Sequence, residues 1–147
     1  MEQQVKIPAA SADFWNERYS SYVTVYGDEP NEFFKECIQK FPTGRMLLPA
    51  EGEGRNAVFA ATQGWEVDAF DYSPAARLKA LARAEENDVT INYTTTDIND
   101  VDLRSEAYDA IALIYVHLEP EERKRLHSQI VKALKPGGHL ILEAFST

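Results

Sequence analysis

The sequence predicts a three-layer, Rossmann-like α/β domain with a doubly wound, mostly parallel sheet of about five strands. From Arg45 onward, short apolar runs alternate with helical patterns, which places helices on both faces of a parallel sheet. A glycine-containing loop, PAEGEGRN, follows the first of these runs, where a strand is expected to turn into a helix. The chain has 147 residues, which is enough for one hydrophobic core.

The predicted single domain covers residues 1–147, with an N-terminal helical cap over 1–42 and the α/β core over 43–147. Within the cap, FWNERY predicts a first helix, and a second begins at Asn31 in NEFFKECIQKF. Apolar residues of this second helix recur at the spacing of one helical face; they are Phe33, Phe34, Cys37, Ile38 and Phe41. The turn at 42–44, PTG, ends the helix.

The core alternates strand and helix in order. Five strands are predicted over 45–49, 65–71, 89–97, 108–116 and 139–145, from RMLLP, WEVDAFD, VTINYTTTD, YDAIALIYV and HLILEAF. Helices are predicted over 56–63, from Ser73-Pro74 to near Asn87, and from Glu119-Pro120 onward. The turn KPGG precedes the fifth strand. The last helix is expected to bury Leu126, Ile130, Val131 and Leu134.

The acidic composition narrows the classes of ligand. The formal net charge is −9, whereas nucleic acids and anionic membrane surfaces attract basic proteins. Both are therefore disfavoured as partners, and a small molecule is the expected ligand. No apolar run is long enough to span a bilayer, and no basic segment followed by an apolar stretch opens the chain, so we expect a cytoplasmic protein.

The glycine loop matches a nucleotide-binding fingerprint. Residues 52–57, GEGRNA, fit G-x-G-x-x-G/A, and Asp71 ends the next strand at the spacing of a ribose contact. NAD and S-adenosyl-L-methionine are both compatible with this pattern. A tight strand-to-helix turn without a ligand would also produce it.

Glu51 and Glu53 distinguish between the two ligands. Two like charges about 4 Å apart repel by ~4 kcal/mol at an effective dielectric of about 20, so carboxylates in this loop disfavour a pyrophosphate. S-adenosylmethionine carries a sulfonium, an ammonium and one carboxylate. The glutamates favour its cationic groups, and Arg55 or the helix N–H groups are expected to take its carboxylate.

The strand ends suggest how an adenosine group would bind. Asp71 is expected to accept hydrogen bonds from the ribose hydroxyls, and Asp97 from the adenine amino group, with Ile98 and Tyr72 packed beside the nucleoside. The alternatives are a cap before Ser73 for Asp71, a turn for Asp97 and core packing for Tyr72. The predicted cofactor-binding residues are Glu51, Gly52, Gly54, Arg55, Asn56, Asp71, Tyr72, Asp97, Ile98 and Tyr115.

With these residues in place, the chain resembles the class I S-adenosylmethionine-dependent methyltransferases, and within them the tellurite-resistance and thiopurine-type group. The strings that carry the resemblance are AEGEGRNAVFAA, VDAFDYSP, TTDIND, YDAIALIYVHL and LKPGGHLILEAF. Leu48 stands where the family has an acid, and Ala50 where it has its first glycine. The family normally continues beyond the fifth strand with another helix and two strands, whereas this sequence stops at Thr147. We therefore expect either that the edge of strand 139–145 pairs with a second chain, as a homodimer, or that this is a shortened form.

The resemblance implies methyl transfer to a small-molecule acceptor, such as a thiol or chalcogen compound, with S-adenosylhomocysteine as the product. His117 is the best candidate for a base if the acceptor is oxygen or nitrogen, because a histidine pKa can lie near neutrality. Tyr26 is expected to close over the methyl donor. Structural roles are the alternatives for both residues. No Cys/His cluster suggests a metal site.

Two other functions remain open. One is a degenerate S-adenosylmethionine-binding domain without turnover that associates through its fifth strand. The other, less favoured because of the two glutamates, is an NAD-dependent oxidoreductase.

Overall fold

The computed structural model describes residues 29–116 and 118–143. The predicted first helix in FWNERY and the two predicted catalytic residues, Tyr26 and His117, lie outside the described residues. In the described part of the chain, no helix combines the length and the apolar character needed to cross a membrane.

The sheet has five strands, and every neighbouring pair is parallel. They are β1 (Arg45–Pro49), β2 (Glu66–Asp71), β3 (Asn92–Thr95), β4 (Tyr108–Ile114) and β5 (Leu134–Glu143). Their spatial order is β3-β2-β1-β4-β5, so the chain reverses its direction of progress across the sheet between β1 and β4. The predicted fold class is confirmed. In such a sheet the ligand crevice lies outside the carboxyl ends of the strands at this reversal.

Four helices lie in the described residues: α1 (Glu32–Ile38), α2 (Arg55–Thr62), α3 (Pro74–Glu86) and α4 (Pro120–Ala133). In three of them the residue at the N-cap position supplies a polar side chain. Asn31 accepts a hydrogen bond from the N–H of Phe34 at α1, and Ser73 accepts one from the N–H of Ala76 at α3. At α4, Glu119 and Glu122 form a capping box.

The central strands are buried on both faces, which explains their continuous apolar sequences. In β1, Met46 and Leu48 pack into a first core beneath α1, α2 and α3, whereas Leu47 packs into a second core on the opposite face. The second core lies beneath α4 and the 96–107 connection, and Leu126 and Ile130 of α4 are each 1% exposed there. The two cores therefore pack against opposite faces of the same sheet.

Some local expectations were wrong. Val131 is 78% exposed instead of belonging to the buried stripe of α4, because it is one residue, or about 100° of helical rotation, away from Ile130. Phe33 is 39% exposed for the same reason beside Phe34. The KPGG segment lies within β5, at a register shift opposite β4, with Gly137 at φ 81°.

In the part of the chain that the structure describes, the fifth strand is the last strand on its side of the sheet. Its alternation buries Ile141 in the first core and leaves Leu140 and Leu142, on the other face, 46% and 51% exposed. Within the described residues, β5 pairs with β4 alone, and its two half-exposed leucines form an apolar surface.

Candidate functional site

The structure brings the predicted site positions to one edge of the sheet. Glu51 follows β1, Asp71 ends β2, Asp97 follows β3 and Tyr115 follows β4. Because the strands are parallel, these positions share the carboxyl edge, and the glycine loop lies between them and α2. Their roles toward a ligand remain predictions.

Glu51 caps helix α2 from outside the helix. The cap residue Gly54 has no side chain to accept a hydrogen bond, and Glu51 Oε2 instead accepts the N–H of Ala57 at 2.7 Å. Burial raises the pKa of the Glu51 carboxyl to about 8, against the lowering effect of the Ala57 and Asn56 N–H groups and of Arg55. The helix N-terminus, where a phosphate would normally bind, is therefore already occupied by a carboxyl group of the chain.

The side chain of Glu53 is directed toward helix α3 and not toward the N-terminus of α2. Its side chain is buried against α3, where Lys79 Nζ lies 3.6 Å from Oε2 and Arg83 Nη2 lies 3.9 Å from Oε1. Two cations thus neutralise this second acid. The two glutamates of the loop have different partners, and Glu51 is the one at the helix N-terminus.

Left-handed backbone gives the loop its shape. Gly52 has φ 67° and Gly54 has φ 84°, values at which glycine avoids the clash of a Cβ atom. A Cβ on Gly54 would lie 2.7 Å from the Cβ of Ala80, so this glycine also permits close approach of the loop to α3. Ala50, at the position where the family usually has its first glycine, has φ 51° and is in the same region.

Asp71 holds the loop and the start of α3 together. Its Oδ2 accepts the N–H of Gly52 at 2.9 Å, and its Oδ1 accepts the N–H of Ser73 at 3.1 Å. Burial raises the pKa of this carboxyl above its ordinary value, partly offset by these hydrogen bonds. The capping role is therefore present, and the remaining lone pairs of the two oxygens leave capacity for ribose hydroxyls.

The predicted adenine contacts have structural roles in the fold. Asp97 Oδ1 accepts the N–H of Asn99 at 2.8 Å in a turn, as the alternative interpretation expected. Ile98 is buried in the second core, and Tyr72 packs against that core. The hydroxyl oxygen of Tyr72 is buried without a hydrogen-bond partner among the described residues, and burial raises the pKa of this phenol above its ordinary value.

Asn56 links the loop to distant parts of the chain. Its side-chain oxygen accepts the N–H of Asn31 at 2.8 Å, and Asn31 Nδ2 donates to Glu143 Oε1 at 2.6 Å. The start of α1, the start of α2 and the end of β5 are therefore joined at the carboxyl edge. Sequence reasoning assigned Asn56 to the cofactor and missed Asn31 and Glu143, whose positions meet only in the fold.

Two tyrosines make further hydrogen bonds at the carboxyl edge of the sheet. Tyr115, in the left-handed region at φ 53°, donates its N–H to the carbonyl of Glu143 at 2.8 Å. Tyr93 of β3 donates its hydroxyl to the carbonyl of Gly52 at 2.5 Å, and no sequence signal marked this tyrosine. Among the described residues, no group of three His, Cys, Asp or Glu side chains is arranged to hold a metal ion.

Comparison with known families decides the class of this domain. Residues 49–138, from the glycine loop to the KPGG segment, match the model of a methyltransferase domain. The chain belongs to the methyltransferase domain family. The predicted class, that of S-adenosylmethionine-dependent methyltransferases of class I, is thereby confirmed.

Curated relatives of this methyltransferase domain are longer proteins. The chain is 26% identical over 147 residues to "Hemagglutinin 1" of Eikenella corrodens, covering 98% of this chain and 47% of the relative. It is 27% identical over 126 residues to a carboxy-S-adenosyl-L-methionine synthase of Yersinia enterocolitica, covering 84% of this chain and 47% of that enzyme. The methyltransferase domain thus spans about half the length of the curated relatives it matches.

Solved structures share the fold of this methyltransferase domain. One is an S-adenosylmethionine-dependent methyltransferase from Geobacter sulfurreducens in complex with S-adenosyl-L-homocysteine. It superposes with a TM-score of 0.67 at 17% identity, over 90% of this chain and 54% of that one. At this identity the similarity shows the fold alone.

Proposed function

We propose that this domain binds S-adenosylmethionine at the carboxyl edge of its sheet and transfers the methyl group to a small-molecule acceptor. The observation that carries the proposal is the hydrogen bond from the Ala57 N–H to Glu51 at the start of α2. A carboxyl group at this position competes with a pyrophosphate for the helix N–H groups and repels it once ionised. A ligand with cationic centres is instead attracted, and it favours the ionised form of Glu51.

The residues of the edge fit such a ligand. In this proposal Asp71 accepts hydrogen bonds from the ribose hydroxyls, and Asp97, after the neighbouring strand, accepts one from the adenine amino group. Tyr72 packs against the second core between these two acids, and Arg55 opens α2, where it supports the carboxylate of the ligand. Gly52 and Gly54 permit close approach of the backbone, and Tyr115 and Ile98 complete the proposed walls.

The chemistry follows from this placement. When bound, the cofactor supplies a methyl group activated by its sulfonium. The chain orients the donor through the loop and the acidic strand ends, excludes water, and so lets an acceptor approach in line with the breaking carbon–sulfur bond. His117 as a base for oxygen or nitrogen acceptors and Tyr26 as a wall over the donor remain part of the proposal, at positions outside the described residues.

A finer proposal concerns the acceptor and the subgroup. A soft nucleophile such as a thiol or chalcogen compound needs no strong base, which agrees with the tellurite-resistance and thiopurine-type strings of the sequence.

The proposed organisation is one domain over 1–147, with a helical cap over 1–42 and the α/β core over 43–147.

The half-exposed Leu140 and Leu142 favour a second function for the domain. We propose as the alternative that it binds the cofactor without turnover and associates with a second copy through the β5 edge. Analytical ultracentrifugation of the wild type and of Leu142→Lys tests this association. A monomeric wild type at micromolar concentration would refute it.

Calorimetry with S-adenosylmethionine, S-adenosylhomocysteine and NAD tests the ligand, and methyl transfer to a panel of thiols, selenite and tellurite tests the reaction. We expect heat with the first two ligands and none with NAD. Binding of NAD alone would refute the proposed ligand. Tight cofactor binding without methyl transfer to any acceptor would support the alternative function.

A further inference from the structure

A buried tyrosine lies beneath the glycine loop. Tyr93 is 4% exposed in the first core, on the face of the sheet that α2 and α3 cover. It pairs with Ala69 of β2, and β2 separates β3 from β1. Its hydroxyl nevertheless lies 2.5 Å from the carbonyl oxygen of Gly52, in the loop that follows β1.

This hydrogen bond determines the orientation of one peptide group. The carbonyl of Gly52 and the N–H of Glu53 belong to the same planar trans peptide and point in opposite directions. Gly52 has no Cβ and has φ 67°, so its own sterics restrict the loop only weakly. With the carbonyl held by Tyr93 on the core side, the rest of this peptide has a defined orientation.

The same glycine is held on its other side by the predicted ribose acceptor. The N–H of Gly52 donates to Asp71 Oδ2 at 2.9 Å. Residue 52 is thus tied to the end of β2 through Asp71 and to β3 through Tyr93. A change at either contact alters the position of the loop relative to Asp71.

We propose that Tyr93 is a positioning residue that holds the Gly52–Glu53 peptide in the orientation that receives the cofactor. The inference rests on the proposed function. Without the hydroxyl, the glycine peptide samples several orientations, and binding of the cofactor has to order it, which lowers the affinity. The loss of one buried hydrogen bond of this kind corresponds to roughly a tenfold change in Kd.

Tyr108 supplies a matched control. It is also a buried tyrosine, at 8% exposure, and its hydroxyl donates to Asp68 Oδ2 at 2.7 Å. Tyr108 opens β4, so its contact lies toward the amino edge of the sheet, away from the glycine loop. Tyr93→Phe deletes a buried hydroxyl contact and Tyr108→Phe a partly buried one, and only the first contact belongs to the loop.

The experiment measures the melting temperature and the Kd for S-adenosylhomocysteine of the wild type and both variants, together with amide exchange over residues 52–54. We expect both variants to melt at lower temperature. Only Tyr93→Phe should weaken binding, by about tenfold, and speed exchange in the loop.

Four outcomes would overturn the inference. Unchanged affinity in Tyr93→Phe, with normal binding by the wild type, overturns the inference alone. Equal weakening in both variants shows a general structural effect and overturns it too. Absence of binding by the wild type overturns the proposed function and the inference with it. If Tyr93→Phe does not fold, unprotected amides at 52–54 in the wild type contradict the proposed restraint.

Discussion

The carboxyl of Glu51 accepts the N–H of Ala57, six residues later in the chain, at 2.7 Å. This contact explains how a glycine loop that carries acids is compatible with the positive end of a helix. The acid supplies the cap that Gly54 lacks, and glycine is then free to adopt the left-handed conformation that the turn requires.

The first prediction concerns pH. Burial raises the pKa of Glu51 from 4.5 to about 8, so between these values the folded state binds a proton that the unfolded state releases. Because the pKa of this carboxyl is higher in the folded state, the free energy of unfolding decreases as pH rises. We expect the wild type to lose stability relative to Glu51→Gln between pH 5 and 8, by at most about 1.4 kcal/mol per pH unit. Urea unfolding of both proteins at several pH values measures this difference, and a constant difference would contradict the assignment.

The second prediction concerns the buried acid beneath the loop. Glu53→Gln leaves Lys79 and Arg83 without their buried carboxylate, and we expect a loss of about 2 kcal/mol in the free energy of unfolding. Glu86→Gln, at an exposed position of α3, is the control and should change stability by less than about 0.5 kcal/mol. Similar losses in the two variants would show that the cluster does not stabilise the fold.

The third prediction separates steric contact from backbone strain. Gly54→Ala combines φ 84° with a Cβ atom 2.7 Å from the Cβ of Ala80, so we expect a destabilisation of about 2–4 kcal/mol. Gly137→Ala has nearly the same φ, 81°, but no atom within 4 Å of the new Cβ. It should cost only about 1 kcal/mol. Equal losses in the free energy of unfolding for the two variants, measured by chemical unfolding, would show that α3 shifts to accommodate the added methyl group.

The fourth prediction is a stabilising change. Ala50 has φ 51°, where an L-residue is strained by about 1–2 kcal/mol, whereas glycine costs about 0.5–1 kcal/mol through the entropy of the unfolded chain. Ala50→Gly should therefore stabilise the domain by up to about 1 kcal/mol, raising its urea midpoint. The reverse change at another position of positive φ, Gly64→Ala at φ 99°, serves as the control and should lower the midpoint.

Much of the fold could be predicted because its signals are local. Ser73 and Pro74 start α3 as expected, since a serine cap and a proline in the first turn act within four residues of chain. β1 covers Arg45–Pro49, as expected from its short apolar run. The burial of Val131 was predicted wrongly because successive residues of a helix are rotated by about 100°. A side chain one position away from the buried stripe can therefore face solvent.

Local sequence signals account for the alternating strands and helices, the glycine loop and the acids at the strand ends, because each depends on neighbouring residues. The three-dimensional arrangement determined which acid lies at the helix N-terminus, since Lys79 and Arg83 attract Glu53 toward α3. It also decided the contacts of Tyr93 with Gly52 and of Asn31 with Glu143, which join residues 41 and 112 positions apart. Such contacts depend on strand order and register, which no local pattern of residues encodes.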